Sequence, residues 1–240
     1  MIPNSQHKND PSNNTEMMAS CCGETATETH TSRSTPLPTV ATWKLLEQRP
    51  VVESKWVSVY SERLDTGDGK IIDPFFSIKY QNWCLVIAIT PSKQVLVNQQ
   101  YRRGCNCVAR EFVTGAREEN EEPKEAAVRE LLEETGYELL NGDVDKDVVQ
   151  LGSPLYEDAN RNSCVCHAFV AMVKEEPTHK QTLDPYEQII VSKESLSQVR
   201  RWCFDGTIKS GMHITMFYRC LSILHEMGIV DAIPILLGDC

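Results

Sequence analysis

The sequence predicts a single α/β or α+β sandwich built around a mixed β-sheet. Two observations carry this. Short apolar runs with strand character occupy the first half, one strongly helical segment interrupts them, and further strands are followed by two helices, an order that suits helices packed on a sheet. From about residue 41 to the end there are some 200 residues, enough to bury one sizeable core.

The elements follow in chain order. Residues 1–40 are rich in Asn, Ser, Thr, Pro and Glu and hold no aromatic residue, the first being Trp43. Such a stretch buries too little apolar surface to order itself and reads as a disordered polar tail. It lacks the apolar core of a secretory signal. No apolar run in the chain is long enough to span a membrane, so a cytoplasmic protein is expected. Residues 43–80 read as several short strands, with Val57 and Val59 alternating with polar neighbours and a turn at Gly67-Asp68-Gly69. Buried strands are expected at 83–89 and 94–101, joined by a turn at 91–93. Arg102 and Arg103 close the second strand, either as a solvated end or as phosphate-binding guanidinium groups. After a loop at Gly104, a short strand over 111–113 leads into Gly115.

The segment 115–137 reads GAREENEEPKEAAVRELLEETGY and is the most informative in the chain. Pro123 suits the first position of a helix and Gly136 its left-handed end, so a helix is predicted over 123–135. Ala126, Ala127, Val128, Leu131 and Leu132 form its apolar stripe. Glu130, Glu133 and Glu134 fall at i, i+3 and i+4, which puts three carboxylates on one face. Like charges at this spacing repel by roughly 0.2–0.5 kcal/mol per pair. A hard divalent cation such as Mg²⁺ would reverse that sign. Beyond the helix, strands are expected at 147–152, 163–173 and 188–192, and helices at 194–204 and 211–227. The last helix carries Phe217, Leu221 and Leu224 on its apolar side.

Net charge is −10, and residues 118–138 alone hold nine Glu. Acidity concentrated there argues against a nucleic-acid surface, which needs a basic patch. The ten cysteines include the pairs Cys105/Cys107 and Cys164/Cys166. Their C-x-C spacing differs from the C-x2-C of common zinc sites, and they read as structural thiols. The adjacent Cys21 and Cys22 have nothing around them that supports a lipid anchor.

Gly115, Glu121, Arg129, Glu130, Leu131, Glu133, Glu134 and Gly136 resemble, in register, the signature of the Nudix hydrolases: G, five residues, E, seven residues, R-E-U-x-E-E-x-G-U, with U bulky and aliphatic. Tyr137 stands in the last aliphatic slot. The resemblance spans about 43–225. The runs TGDGKIIDPFFSIKY, WCLVIAIT, VLVNQQYRRG and EFVTG are similar to the ADP-ribose and nucleotide-sugar pyrophosphatase branch, although Val113 and Thr114 replace its usual Pro and Ala.

The resemblance implies a Nudix α/β/α sandwich over residues 41–240. It also implies a homodimer helped by the N-terminal strands, and hydrolysis of a nucleoside diphosphate sugar at its pyrophosphate with more than one Mg²⁺ or Mn²⁺. It assigns Glu130, Glu133 and Glu134 to the metal, with the carbonyl of Thr114. Glu133 and Glu134 also count as catalytic residues, with Glu187 as the late-loop carboxylate and Asp184 its rival. Arg102, Glu111, Ala116 and Arg161 are assigned to substrate. Gly115, Glu121, Arg129 and Gly136 are structural within the motif. Pro154 and Tyr156 leave open a dinucleoside-polyphosphate hydrolase, and a nucleotide-sensing Nudix module without catalysis stands as a further alternative.

Overall fold

The computed structural model describes residues 39–231. The expected tail, with Cys21 and Cys22, lies outside the described residues apart from its last two positions. The described residues form two sheets. Strands β1 (Lys44–Glu53), β2 (Val57–Asp65) and β3 (Ile71–Tyr80) make an antiparallel three-stranded sheet. Gly67 turns β2 into β3 with φ of +79°, where a side chain would also crowd Thr42.

The larger sheet has eight strands. These are β4 (Trp83–Ile89), β5 (Gln94–Arg102), β6 (Cys107–Glu111), β7 (Val113–Ala116), β8 (Val148–Gln150), β9 (Leu155–Tyr156), β10 (Val165–Met172) and β11 (Ile190–Ser195). Its main path runs β11-β5-β4-β10-β8. β10 lies parallel to β4 and the other pairs are antiparallel, so the sheet is mixed.

Residues Cys84–Ile89 of β4 are all buried, because both faces of this central strand are covered. Leu85, Ile87 and Ile89 point into a core closed by α3 (Leu196–Phe204) and α4 (Gly211–Glu226), through Val199, Met216, Phe217, Cys220, Leu221 and Leu224. Cys84, Val86 and Ala88 point the other way, against Ala126, Ala127 and Leu131 of α1 (Pro123–Thr135). Period-two alternation in one strand thus builds two cores, and the α/β/α sandwich follows.

Where the local pattern is strong, the expected boundaries hold: α1 begins at Pro123 and ends at Thr135, and β4 spans 83–89. Four expectations are corrected. The strand expected over 111–113 is two strands broken at Phe112, and β6 already begins at Cys107 inside the expected loop. The strand expected over 147–152 is shortened by a helical turn, α2 (Val144–Asp147), because the Asp143 side chain accepts hydrogen bonds from the backbone of Asp145 and Lys146. The strand expected over 188–192 lies at Ile190–Ser195, where β11 pairs with β5. Leu132 is 37% exposed and leaves the apolar stripe, while Tyr137 fills its motif slot as a buried residue of the α1 core. Among the described residues no helix is long and apolar enough to cross a membrane.

Candidate active site

The site forms where the large sheet divides. β4 and β5 pair only next to their turn, at Ile89 and Val95. Beyond it β6 pairs with β5 and β7 with β4, so the segment 107–116 crosses from one strand to the other. The crossing is pinned at Phe112, whose N–H donates to Nδ1 of buried His213 on α4 at 3.0 Å. His213 stacks on Phe112, with centroids 5.6 Å apart, and lies beside Trp83. Burial pushes the His213 pKa down to about 3, so the ring stays neutral and its Nδ1 remains an acceptor.

α1 lies across this division. Its C-terminal cap is Gly136, with φ of +74° and its N–H donating to the Leu132 carbonyl at 2.8 Å. A second constraint acts on the same glycine, because a Cβ there would come within 2.2 Å of the His179 carbonyl oxygen. The late loop is bonded onto the end of the helix. Thr178 and His179 N–H donate to the Gly136 carbonyl at 3.0 and 3.1 Å, and Thr182 N–H donates to that of Glu133 at 2.8 Å. Gln181 Nε2 adds a bond to the Glu134 carbonyl. These bonds carry Glu187 to the site.

Arg129 organises one side of the acidic face. Its Nε and Nη2 donate to the two carboxylate oxygens of Glu121 at 2.8 and 3.0 Å. Its Nη1 donates to Glu130 at 2.8 Å and Glu133 at 3.0 Å, and Nη2 reaches the Ala116 carbonyl at 3.2 Å. A planar guanidinium has enough donors, in fixed directions, to hold all of these together. Glu121 in turn accepts from the Glu118 N–H at 3.0 Å. The Glu130 carboxyl lies over Gly115 so closely that a Cβ at 115 would stand 1.8 Å from its carboxyl carbon. A methyl at 115 would therefore displace the Glu130 carboxyl, at a position without positive φ.

Glu134 is different. It is 3% exposed and accepts from Asn98 Nδ2 at 2.7 Å and from the Thr114 N–H at 3.3 Å. Burial, reinforced by the charge of Glu130, raises its pKa to about 8. Burial also raises Glu130 to about 7, against the opposing pull of Arg129. Asn98 Oδ1 is buried without a donor among the described residues. Next to these groups is a cleft of about 290 Å³ lined by Trp83, Arg102, Thr114, Gly115, Ala116, Glu134 and Glu187. Larger grooves of about 540 and 720 Å³ lie elsewhere and hold none of Glu130, Glu134 and Glu187.

The predicted residues divide accordingly. Arg102, Thr114, Ala116, Glu134 and Glu187 meet at the cleft. Arg102 is no free strand end, since it donates to Glu111 at 2.7 and 2.8 Å and so fixes a carboxylate that is itself buried. The Glu133 side chain is 41% exposed and turned to Arg129. Asp184 and Glu187 share one turn, the Asp184 N–H donating to the Glu187 carboxylate at 3.1 Å; Glu187 lines the cleft and Asp184 is exposed. Arg161 lies apart, over the Phe75 ring in a groove shared with β2 and β3. Sequence reasoning passed over Asn98 and His213. Asn98 was visible as the first polar side chain after the apolar run Val95, Leu96 and Val97 in β5, and His213 as a histidine four residues before Phe217 on the apolar side of α4.

The donors fit a hard cation, because they are carboxylate and carbonyl oxygens and their burial leaves negative charge without a full counter-charge. As they stand, no three His, Cys, Asp or Glu side chains among the described residues converge as a metal site. A mixed sheet thus lies between helices, with acidic groups collected at the end of one helix. The NUDIX domain family matches residues 80–203. The chain is similar to the ADP-ribose pyrophosphatase of Bacillus subtilis (strain 168), with 26% identity over 153 residues, 64% of this chain and 78% of that protein. It is also similar to the methanol dehydrogenase activator of Bacillus methanolicus, with 38% identity over 61 residues, 25% of this chain and 33% of that protein. Its fold matches a crystal structure of an ADP compounds hydrolase with a TM-score of 0.67 at 19% identity, covering 80% of this chain and all of that one. The chain belongs to the Nudix family and is a hydrolase.

Proposed function

We propose that this protein hydrolyses the pyrophosphate bond of a nucleoside diphosphate sugar, with ADP-ribose the best candidate, giving a nucleoside monophosphate and a sugar phosphate. The observation that carries the reading is the buried carboxyl of Glu134 with the half-buried one of Glu130 near it, beside a cleft that also holds Arg102. The similarity to an ADP-ribose pyrophosphatase supports the substrate class. Residues 41–240 are taken as one Nudix domain.

Mg²⁺ or Mn²⁺ would be held by Glu130 and Glu134, with Glu133 and the Thr114 carbonyl. When bound, the ions supply positive charge to the pyrophosphate oxygens and acidify water. The protein's own groups do the remaining work. Arg129 keeps Glu130 and Glu133 in place, and Glu121 keeps Arg129 in place. Asn98 and the Thr114 N–H hold Glu134 in one rotamer, which is the positioning that phosphoryl chemistry depends on. Arg102, oriented by Glu111, offers its remaining donors to substrate phosphate. Glu187 is the carboxylate suited to take a proton from water. Arg161 belongs to a groove on the N-terminal sheet and would meet only a distal part of the substrate. A second copy of the chain against β1–β3 is supported by the exposed Trp43, Leu45, Val52, Trp56, Ile71 and Phe76.

The test is a substrate panel with Mg²⁺ or Mn²⁺ and chromatography of the products. ADP-ribose should give AMP and ribose phosphate. Preferred cleavage of dinucleoside polyphosphates would move the assignment to that alternative, and tight binding without product would make the protein a sensor. R102A should chiefly raise KM for the preferred substrate; an unchanged KM would remove Arg102 from the site.

A further inference from the structure

The two C-x-C pairs share a spacing and differ in setting. Cys164 and Cys166 are buried, and the Cys164 thiol donates to the Gln81 carbonyl at 3.1 Å. Cys105 and Cys107 lie at the turn between β5 and β6, where Cys105 is exposed and Cys107 half-buried. In an extended strand, residues two apart are separated by about 6–7 Å. Here Asn106 adopts φ of +53°, a conformation that Asn takes more readily than most residues, and its Oδ1 accepts from the Tyr101 hydroxyl at 2.7 Å. The turn brings the two sulphurs to 3.4 Å, with the Cys107 thiol donating to Cys105 Sγ. No third His, Cys, Asp or Glu completes a metal site with them among the described residues. A close, exposed dithiol without a third ligand is suited to thiol–disulfide exchange.

We propose that Cys105 and Cys107 are a redox modification site, closing to a reversible intrachain disulfide with small disulfides as the oxidant. Cys105, the more exposed sulphur and the acceptor of the thiol hydrogen bond, attacks one sulphur of the small disulfide. A mixed disulfide forms and one small thiol leaves. Cys107 then attacks Cys105 Sγ, the intrachain S–S bond forms, and the second small thiol leaves. The two cysteine protons pass to the two leaving thiols, and two electrons pass from the protein dithiol to the oxidant. The step also touches the cleft side of the turn. Cys107 pairs with Arg102 across the β5–β6 ladder, and the Cys105 thiol that closes on Cys107 is the donor to the Arg102 carbonyl at 3.5 Å. An exposed bridge of this kind belongs to the labile class that cellular thiols reopen.

The experiment uses the full chain and oxidised glutathione, followed by alkylation of remaining thiols and trypsin. Cleavage after Arg103 and Arg110 isolates residues 104–110, which contain only these two cysteines. The expected result is loss of two hydrogens from that peptide, restored by dithiothreitol, while C107S stops with one glutathione on Cys105. Closure in the native chain should be several-fold faster than in urea. A native chain that accumulates glutathione on Cys105 as C107S does, a peptide that stays reduced, or equal rates in urea would each overturn the assignment.

Discussion

At one end of the acidic cluster the charges balance one another, and at the other they do not. Arg129 satisfies Glu121 in full and shares itself between Glu130 and Glu133, and these groups are partly open to water. Glu134 is buried with two hydrogen-bond donors and, among the described residues, no ion pair. The first arrangement is a self-contained brace. The second is an acid held where ionisation is costly, so without a counter-charge it keeps its proton until pH approaches about 8. Residues five apart on the same helix thus differ in setting: Arg129 braces three carboxylates, and Glu134 is buried against Asn98 and the Thr114 backbone.

The contrast is sharpest under substitution. E134Q keeps the shape and the Asn98 contact while removing the charge. It should lower kcat on the preferred substrate by about 10²–10⁴-fold with the melting temperature kept or raised. Turnover near that of the parent chain at saturating Mg²⁺ would end the assignment of Glu134. G115A forces the Glu130 carboxyl to move, because its carboxyl carbon lies 1.8 Å from the new methyl. Displacement on the order of 1 Å can cost about 10²-fold in rate, so kcat should fall far more than stability does. If circular dichroism instead showed an unfolded chain, the glycine would be a folding residue first.

R129A tests the brace. It leaves Glu121, Glu130 and Glu133 without their shared donor, and denaturant titration should find a loss of about 2–3 kcal/mol. R129K should recover little of this, since an ammonium cannot reproduce the planar fork. An R129A chain as stable as the parent would show that the brace contributes activity alone.

The smallest effect is on pH dependence. Glu130 and Glu134 have folded-state values raised to about 7 and about 8 from 4.5. Folding therefore takes up protons, and the stability these groups contribute is present below about pH 4.5 and lost as pH rises through 7 and 8. Without metal, the melting temperature should decline across that window. Added Mg²⁺ should raise it more at about pH 8 than at about pH 6, and E134Q should flatten the metal-free decline. A Mg²⁺ response independent of pH in the parent chain would separate metal uptake from these two carboxylates.

How much of this was legible beforehand varies with the range of the interaction. α1 was readable to the residue because Pro123 and Gly136 act within one turn of themselves. The face shared by Glu130, Glu133 and Glu134 follows from helical spacing alone. The break at Phe112 was not readable, because its cause is His213, about a hundred residues later in the chain and brought alongside only by packing. Leu132 looked like core by spacing, yet it lines an open groove with Leu140 and Val144 and stays 37% exposed. Asn98 is an ordinary strand residue until α1 sets Glu134 against it.

The sequence by itself determined which carboxylates share one face of α1 next to Gly115, because helix periodicity and a spaced glycine–carboxylate pattern are local properties of the chain. Only the tertiary structure decided what each carboxylate experiences. Glu130, Glu133 and Glu134 are chemically one residue type, and what separates them is whether Arg129, Asn98 or water stands within hydrogen-bonding distance. It also decided between two identical cysteine spacings, burying one pair and leaving the other exposed in a turn, since solvent exposure belongs to the packed fold and is nowhere written in the spacing.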